Sequence, residues 1–187
     1  MQEDMIDVIC PAKPLFHCLT HFHELDPAAR KFLVKSGFEE SHIDAQMAKP
    51  GSKFYPEFAT SVDEIVRKMA EERPDLFAEG TVPCDSEMKA YLSVEFPYPI
   101  GTRGVALLAE LSEDQLATMT VESRNGLTVR KAYVDKAGDT SECQLIMRKD
   151  GRSWRVLTVY PGEFAPPLPR HGEPDPYWDV HCFIEER

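Results

Sequence analysis

Several features are scarce in this chain. No CxxC pair occurs, and the five cysteines (Cys10, Cys18, Cys84, Cys143 and Cys182) are odd in number and widely scattered. That argues against a disulfide framework or a structural zinc ribbon and fits reduced thiols in a cytoplasmic setting. Neither GxGxxG nor GxxxxGK[ST] is present, so no glycine-rich loop cradles a nucleotide, and no cofactor is expected. HExxH is missing as well. No apolar run approaches the length of a membrane span, and the opening stretch MQEDMIDVIC is acidic, unlike a signal peptide. The expectation is a soluble protein with no membrane partner. Basic residues are outnumbered, 21 Lys and Arg against 32 Asp and Glu, for a formal net charge of −11. That balance works against long-range attraction of nucleic acid.

The charge is unevenly spread. Residues 1–123 carry a net −11, residues 124–155 a net +4 and residues 156–187 a net −4. The basic stretch holds eight Lys and Arg, among them Arg130 and Lys131, and is expected to form one basic sheet face. Periodicity divides the chain similarly. Asp26 before Pro27 caps a helix that stops near Gly37, "EESHIDAQM" reads as a short helix, and Ser61 with Glu64 opens a third helix whose Val62, Ile65, Val66 and Met69 recur at helical spacing. Alternation then takes over. "MKAYLSVEF" reads as a strand, and Asn125 with Gly126 and Asp150 with Gly151 mark two hairpins. Helices followed by an antiparallel meander define an α+β domain with the helices packed on the sheet. We divide it into an extension (1–24), a helix-then-sheet body (25–167) and a proline-rich strap (168–187).

Two groups of residues carry candidate chemistry. "HCLTHFH" offers His17, Cys18, His21 and His23 as metal-ligand types, but no single helix or strand presents all three histidines together, so no metal site is assigned. The second group is the strand "WRVLTVYPG", where strict alternation puts Trp154, Val156, Thr158 and Tyr160 on one face before Pro161 and Gly162 end the pairing.

Taken in order, His42-Ile43 on a short helix, Ser52-Lys53-Phe54, the capped helix from Ser61, and Thr158-Val159-Tyr160-Pro161 closing the strands resemble the barnase/EndoU/RelE-like (BECR) ribonuclease superfamily, especially its bacterial toxins. Where many relatives have a second histidine, this chain has Ala45, Gln46 and Met47. The resemblance implies metal-independent RNA cleavage through 2′-hydroxyl attack, with RNA as substrate and a protein inhibitor as partner. For that reaction His42, Thr158 and Tyr160 are the expected catalytic residues, and Lys53 and Arg130 the expected phosphate-binding cations. Of the neighbours Arg130 and Lys131, strand parity selects Arg130, because Thr128 and Ala132 suit a ligand-facing surface while Val129 and Tyr133 suit a core. Two other readings stand beside this one: a non-enzymatic protein-interaction module on the same fold, and a metal-dependent hydrolase using the histidines near residue 20.

Overall fold

The computed structural model describes residues 5–187, the side chain of Arg124 apart. The first part is β1 (Asp7–Ile9), α1 (Ala12–Cys18), a 3-10 turn over Leu19–His21, α2 (Pro27–Lys35), α3 (Glu40–Met47) and α4 (Val62–Glu72). The caps act as their residue types dictate. Asp26 accepts from the N–H groups of Ala28 and Ala29 at 2.8 and 3.0 Å, and Gly37, at φ +94°, follows the end of α2. Ser61 accepts from the Glu64 N–H at 3.2 Å, and the Glu64 carboxylate returns to the N–H of Thr60 at 3.1 Å. Along α4, Val62, Ile65 and Met69 are buried while Asp63, Arg67 and Glu71 face solvent.

The second part runs β2 (Lys89–Glu95), β3 (Gly101–Thr102), β4 (Val105–Leu107), α5 (Glu113–Ala117), β5 (Thr120–Arg124), β6 (Leu127–Val134), β7 (Asp139–Thr140), β8 (Glu142–Asp150), β9 (Ser153–Pro161), α6 (Pro176–Val180) and β10 (His181–Glu186). The fold is α+β. Its strands form two four-stranded sheets, ordered β1-β9-β8-β2 and β4-β10-β6-β5, and a β3-β7 ribbon. Both expected hairpins form, with Asn125 and Gly126 at φ 52° and 77° in the β5-β6 turn, as a type I′ loop requires. Each large sheet also contains one parallel pair, β1 with β9 and β10 with β6.

Those parallel pairs correct the expected division into extension, body and strap. β1 lies along β9, and Leu15, Cys18, Leu19 and Phe22 are buried in the main core, so residues 5–24 belong to the body. β10 sits between β4 and β6, and Trp178 is buried with its indole N–H donating to the carbonyls of Pro166 and Pro167. Neither residues 5–24 nor residues 168–187 stand apart from the body. The main core lies between the helices and one face of the first sheet, where Met69 Sδ meets Cys143 Sγ at 3.5 Å. A smaller core of Ala106, Ala132, Val134, Ala137, Cys182 and Ile184 covers the second sheet.

Strand β9 departs from strict alternation. Met147 pairs with Val156 and Ile146 with Thr158, so Leu157 is a bulge residue with no partner of its own. Parity switches there. Trp154, Val156, Val159 and Pro161 are buried, while Thr158 and Tyr160 turn to the opposite face with Gln144 and Ile146. Thr158 and Tyr160 still share a face, as the alternation predicts, but not the face of Trp154 and Val156.

Candidate functional site

The histidine that meets Tyr160 is His21. The two ring centroids are 5.7 Å apart with planes tilted by 37°. His21 ends the 3-10 turn after α1, and the Phe54 N–H donates to its carbonyl at 2.8 Å. Beside it Phe22 and Phe54 form a parallel bridge and pack ring against ring, both buried, which fixes the backbone carrying the imidazole. The His21 Nδ1 is 2.9 Å from the Ser52 carbonyl and 3.1 Å from the Ser52 hydroxyl. A carbonyl only accepts, so Nδ1 carries the proton and Nε2 keeps its lone pair.

Burial pushes the His21 pKa down to about 4. The Ser52 carbonyl opposes that shift, and the neighbouring His17 and Lys53 side chains add to it. Its imidazole is therefore neutral at pH 7.

Segment 52–54 lies between His21 and the start of β3. The Lys53 N–H donates to the Thr102 hydroxyl at 3.2 Å, and the Thr102 N–H donates back to the Lys53 carbonyl at 2.8 Å. This closeness requires glycine at two positions. A Cβ on Gly101 would come within 2.3 Å of the Lys53 carbonyl oxygen, and one on Gly104 within 2.9 Å of the Ser52 nitrogen. The Lys53 ammonium donates to the Met47 carbonyl at 2.5 Å near the end of α3, and burial lowers its pKa.

Tyr160 is half-buried, and burial raises its phenol pKa, an effect the nearby backbone of Ala165 opposes. Its cross-strand partner Gln144 donates to the Ser93 hydroxyl and the Gly162 carbonyl, each at 3.0 Å, and so holds the turn that ends β9. Thr158 is engaged elsewhere. It and the Val159 backbone lie near the Cys18 thiol and lower its pKa, which burial nonetheless pushes up to about 11. Cys18 thus stays a thiol, unsuited to nucleophilic work at neutral pH. Tyr177 lies close enough to Tyr160 to raise its own phenol pKa slightly through it, although burial and Glu163 dominate that shift. The Tyr177 hydroxyl donates to Glu163 at 2.8 Å, and its ring stacks on His181 at 3.9 Å.

The other expected site residues lie in different settings. His42 is exposed on α3, its Nε2 3.9 Å from a Glu39 carboxylate oxygen, and no contact joins it to Thr158 or Tyr160 among the described residues. Helix α3 turns Ile43 and Gln46 inward, and His42 falls outside that face. Arg130 is on the second sheet, donating to the Trp178 carbonyl at 2.8 Å, and Lys131 pairs with Glu185 at 3.0 Å. The parity argument for Arg130 is also corrected. Val129 is buried as expected, but the Arg130 face also carries Ala132 and Val134, buried against Cys182 and Ile184, so both faces of β6 are packing surfaces.

Nor is there a single basic face. Arg130, Lys131 and Lys136 belong to β6 and the turn after it, whereas Arg148, Lys149, Arg152 and Arg155 belong to the β8-β9 hairpin of the other sheet. Among the described residues no group of three His, Cys, Asp or Glu side chains converges as metal ligands would, and His17 and His23 are exposed. No family model, curated protein or solved structure matches the chain.

His21 was visible in the sequence only as a ligand type. Its role as Tyr160's neighbour depends on the bridge between Phe22 and Phe54, a non-local pairing with no hairpin signal between its halves.

Proposed function

We propose that the protein is a metal-independent endoribonuclease whose proton-transfer histidine is His21 rather than His42. One observation carries the reading: a neutral imidazole with its Nδ1–H held by the Ser52 carbonyl stands beside the Tyr160 phenol, with Lys53 as a cationic neighbour in an otherwise acidic chain. Of the residues that carry the resemblance, Ser52, Lys53 and Tyr160 belong to this neighbourhood. In the reaction, Nε2 of His21 removes the proton of a ribose 2′-hydroxyl, whose oxygen attacks phosphorus. The bond from phosphorus to the 5′-oxygen breaks, leaving a 2′,3′-cyclic phosphate, and Tyr160 donates its phenolic proton to the departing oxygen. A raised phenol pKa keeps that proton in place at neutral pH.

A base with a pKa near 4 is weak, and a net charge of −11 repels long polyanions, so turnover is slow and the substrate narrow. The test is cleavage of a mixed RNA pool in EDTA by wild type, His21→Gln, Tyr160→Phe and His42→Ala. His21→Gln should lose roughly 10²–10⁴ in rate, and His42→Ala should match wild type. An unchanged His21→Gln, or wild type that leaves the pool intact, overturns the reading.

A further inference from the structure

We propose that the outer edge of β1 and the groove beside it hold an extended segment of a partner protein, added as a further strand, with apolar side chains alternating with Lys or Arg. This goes beyond the proposed nuclease function and does not depend on it. Strand β1 ends the first sheet and pairs with β9 on one side only; the bridge between Met5 and Ala78 and the bond from the Ile6 N–H to the Phe77 carbonyl fall before it, so among the described residues the outer edge of Asp7–Ile9 has no strand neighbour. An open edge offers unpaired backbone N–H and C=O groups to an incoming strand.

The edge also borders a continuous apolar groove. Two clefts, of about 270 and 470 Å³, meet at Val8 and Asp63 and run between β1 and the helices α4 and α2. Ile9 on the strand and Phe32 on α2 line the larger cleft while 39% and 45% exposed, more than ordinary core-facing residues leave open.

Charge selects the occupant. Asp26 and Asp63 line the larger cleft, and Asp7 lies on the strand itself. Arg67, the cation lining the smaller cleft, is neutralised by Glu71 at 2.7 Å, whereas Asp63 has no ion-pair partner among the described residues. An apolar floor rimmed by Asp7, Asp26 and Asp63, none of them ion-paired among the described residues although Asp7 and Asp26 accept hydrogen bonds from Ser153 and from the start of α2, favours a segment whose alternate residues are basic on a chain of net charge −11. A strand's period of two sends one set of side chains to the groove and the other to the rim.

The experiment selects ten-residue peptides from a random displayed library against the full chain. The winner is then synthesised with and without N-methyl groups on alternate amides, and its binding is measured by calorimetry. Enriched peptides should alternate apolar residues with Lys or Arg. Binding should weaken at least about tenfold on backbone methylation and on Asp63→Lys, and also on Phe32→Ser, with the fold of each variant checked by circular dichroism. Methylation alters only the peptide, so its result stands even if a variant misfolds. The proposal fails if nothing enriches, if the selected peptides are acidic, or if methylation in both alternate registers leaves binding unchanged. It fails too if sedimentation shows a dimer that Ile9→Asp converts to monomer, since the edge would then belong to a second copy of the chain.

Discussion

The two packed regions of this protein are built differently. The first sheet is covered by helices and filled with large side chains, among them Phe22, Phe54, Phe58, Ile65 and Met69. The second encloses mainly Ala106, Ala132, Val134, Ala137, Cys182 and Ile184, and polar links from the chain's last residues reinforce it. Arg130 donates to the Trp178 carbonyl, the Ala137 N–H donates to Glu186 at 2.6 Å, and Arg187 lies over the Tyr133 ring. A small-residue core gains little from burial alone, so a central strand from the chain's end and its charged contacts must complete it. The candidate site lies at the seam. Segment 52–54 abuts residues 101–104, and the Gly104 carbonyl in turn accepts from the N–H of Ile184 on β10.

The contrast can be broken most directly by matched truncations. Ile65→Ala should cost about 4–5 kcal/mol and Ile184→Ala about 2–3, because a cavity among the small residues of the lesser core is smaller and collapses more easily. Urea midpoints measure both, and equal costs would remove the distinction.

Next in size is a pH effect centred on the seam. Unfolded His21 titrates near its ordinary 6.5, while in the fold burial lowers it to about 4. Between those values the unfolded chain binds more protons, so stability rises with pH. The contribution is complete above about pH 6.5 and is lost as pH falls through 4, amounting to about 3 kcal/mol. Stability curves from pH 4 to 7 should show this slope in wild type, and His21→Leu should flatten it.

Arg130→Met should cost roughly 1.5–3 kcal/mol, the worth of a charge-assisted hydrogen bond. Hydrogen exchange should quicken in β6 and β10 while β8 and β9 keep their protection. The smallest effect belongs to the helical region, where Ser61→Ala removes the cap of α4 and should cost about 1 kcal/mol by thermal unfolding.

What could be read from the sequence follows the same divide between local and non-local causes. Caps at Asp26 and Ser61 and the turns at Asn125 and Gly151 act within a few residues, and all appear where those residue types predict. The parallel pairs do not, because Asp7 meets Ser153 across the length of the chain and β10 reaches β6 without a turn to announce it. The bulge at Leu157 leaves no mark of composition either, yet it reverses which residues of β9 face the core. At the site, the shared face of Thr158 and Tyr160 was legible from alternation. Their histidine was not, since His42's place in the motif order says nothing about the bridge that brings His21 to Tyr160.

His21 is held as a half-buried, neutral imidazole beside Tyr160, its proton on Nδ1 and its Nε2 unprotonated. Side-chain nitrogen NMR of protein labelled with ¹⁵N-histidine reads this directly, with His21→Gln assigning the signal. At pH 7 the His21 resonances should show a protonated Nδ1 and an unprotonated Nε2, should titrate near pH 4, and should shift in Tyr160→Phe. A proton on Nε2 at pH 7, or titration near the ordinary 6.5 with no response to Tyr160→Phe, would contradict it.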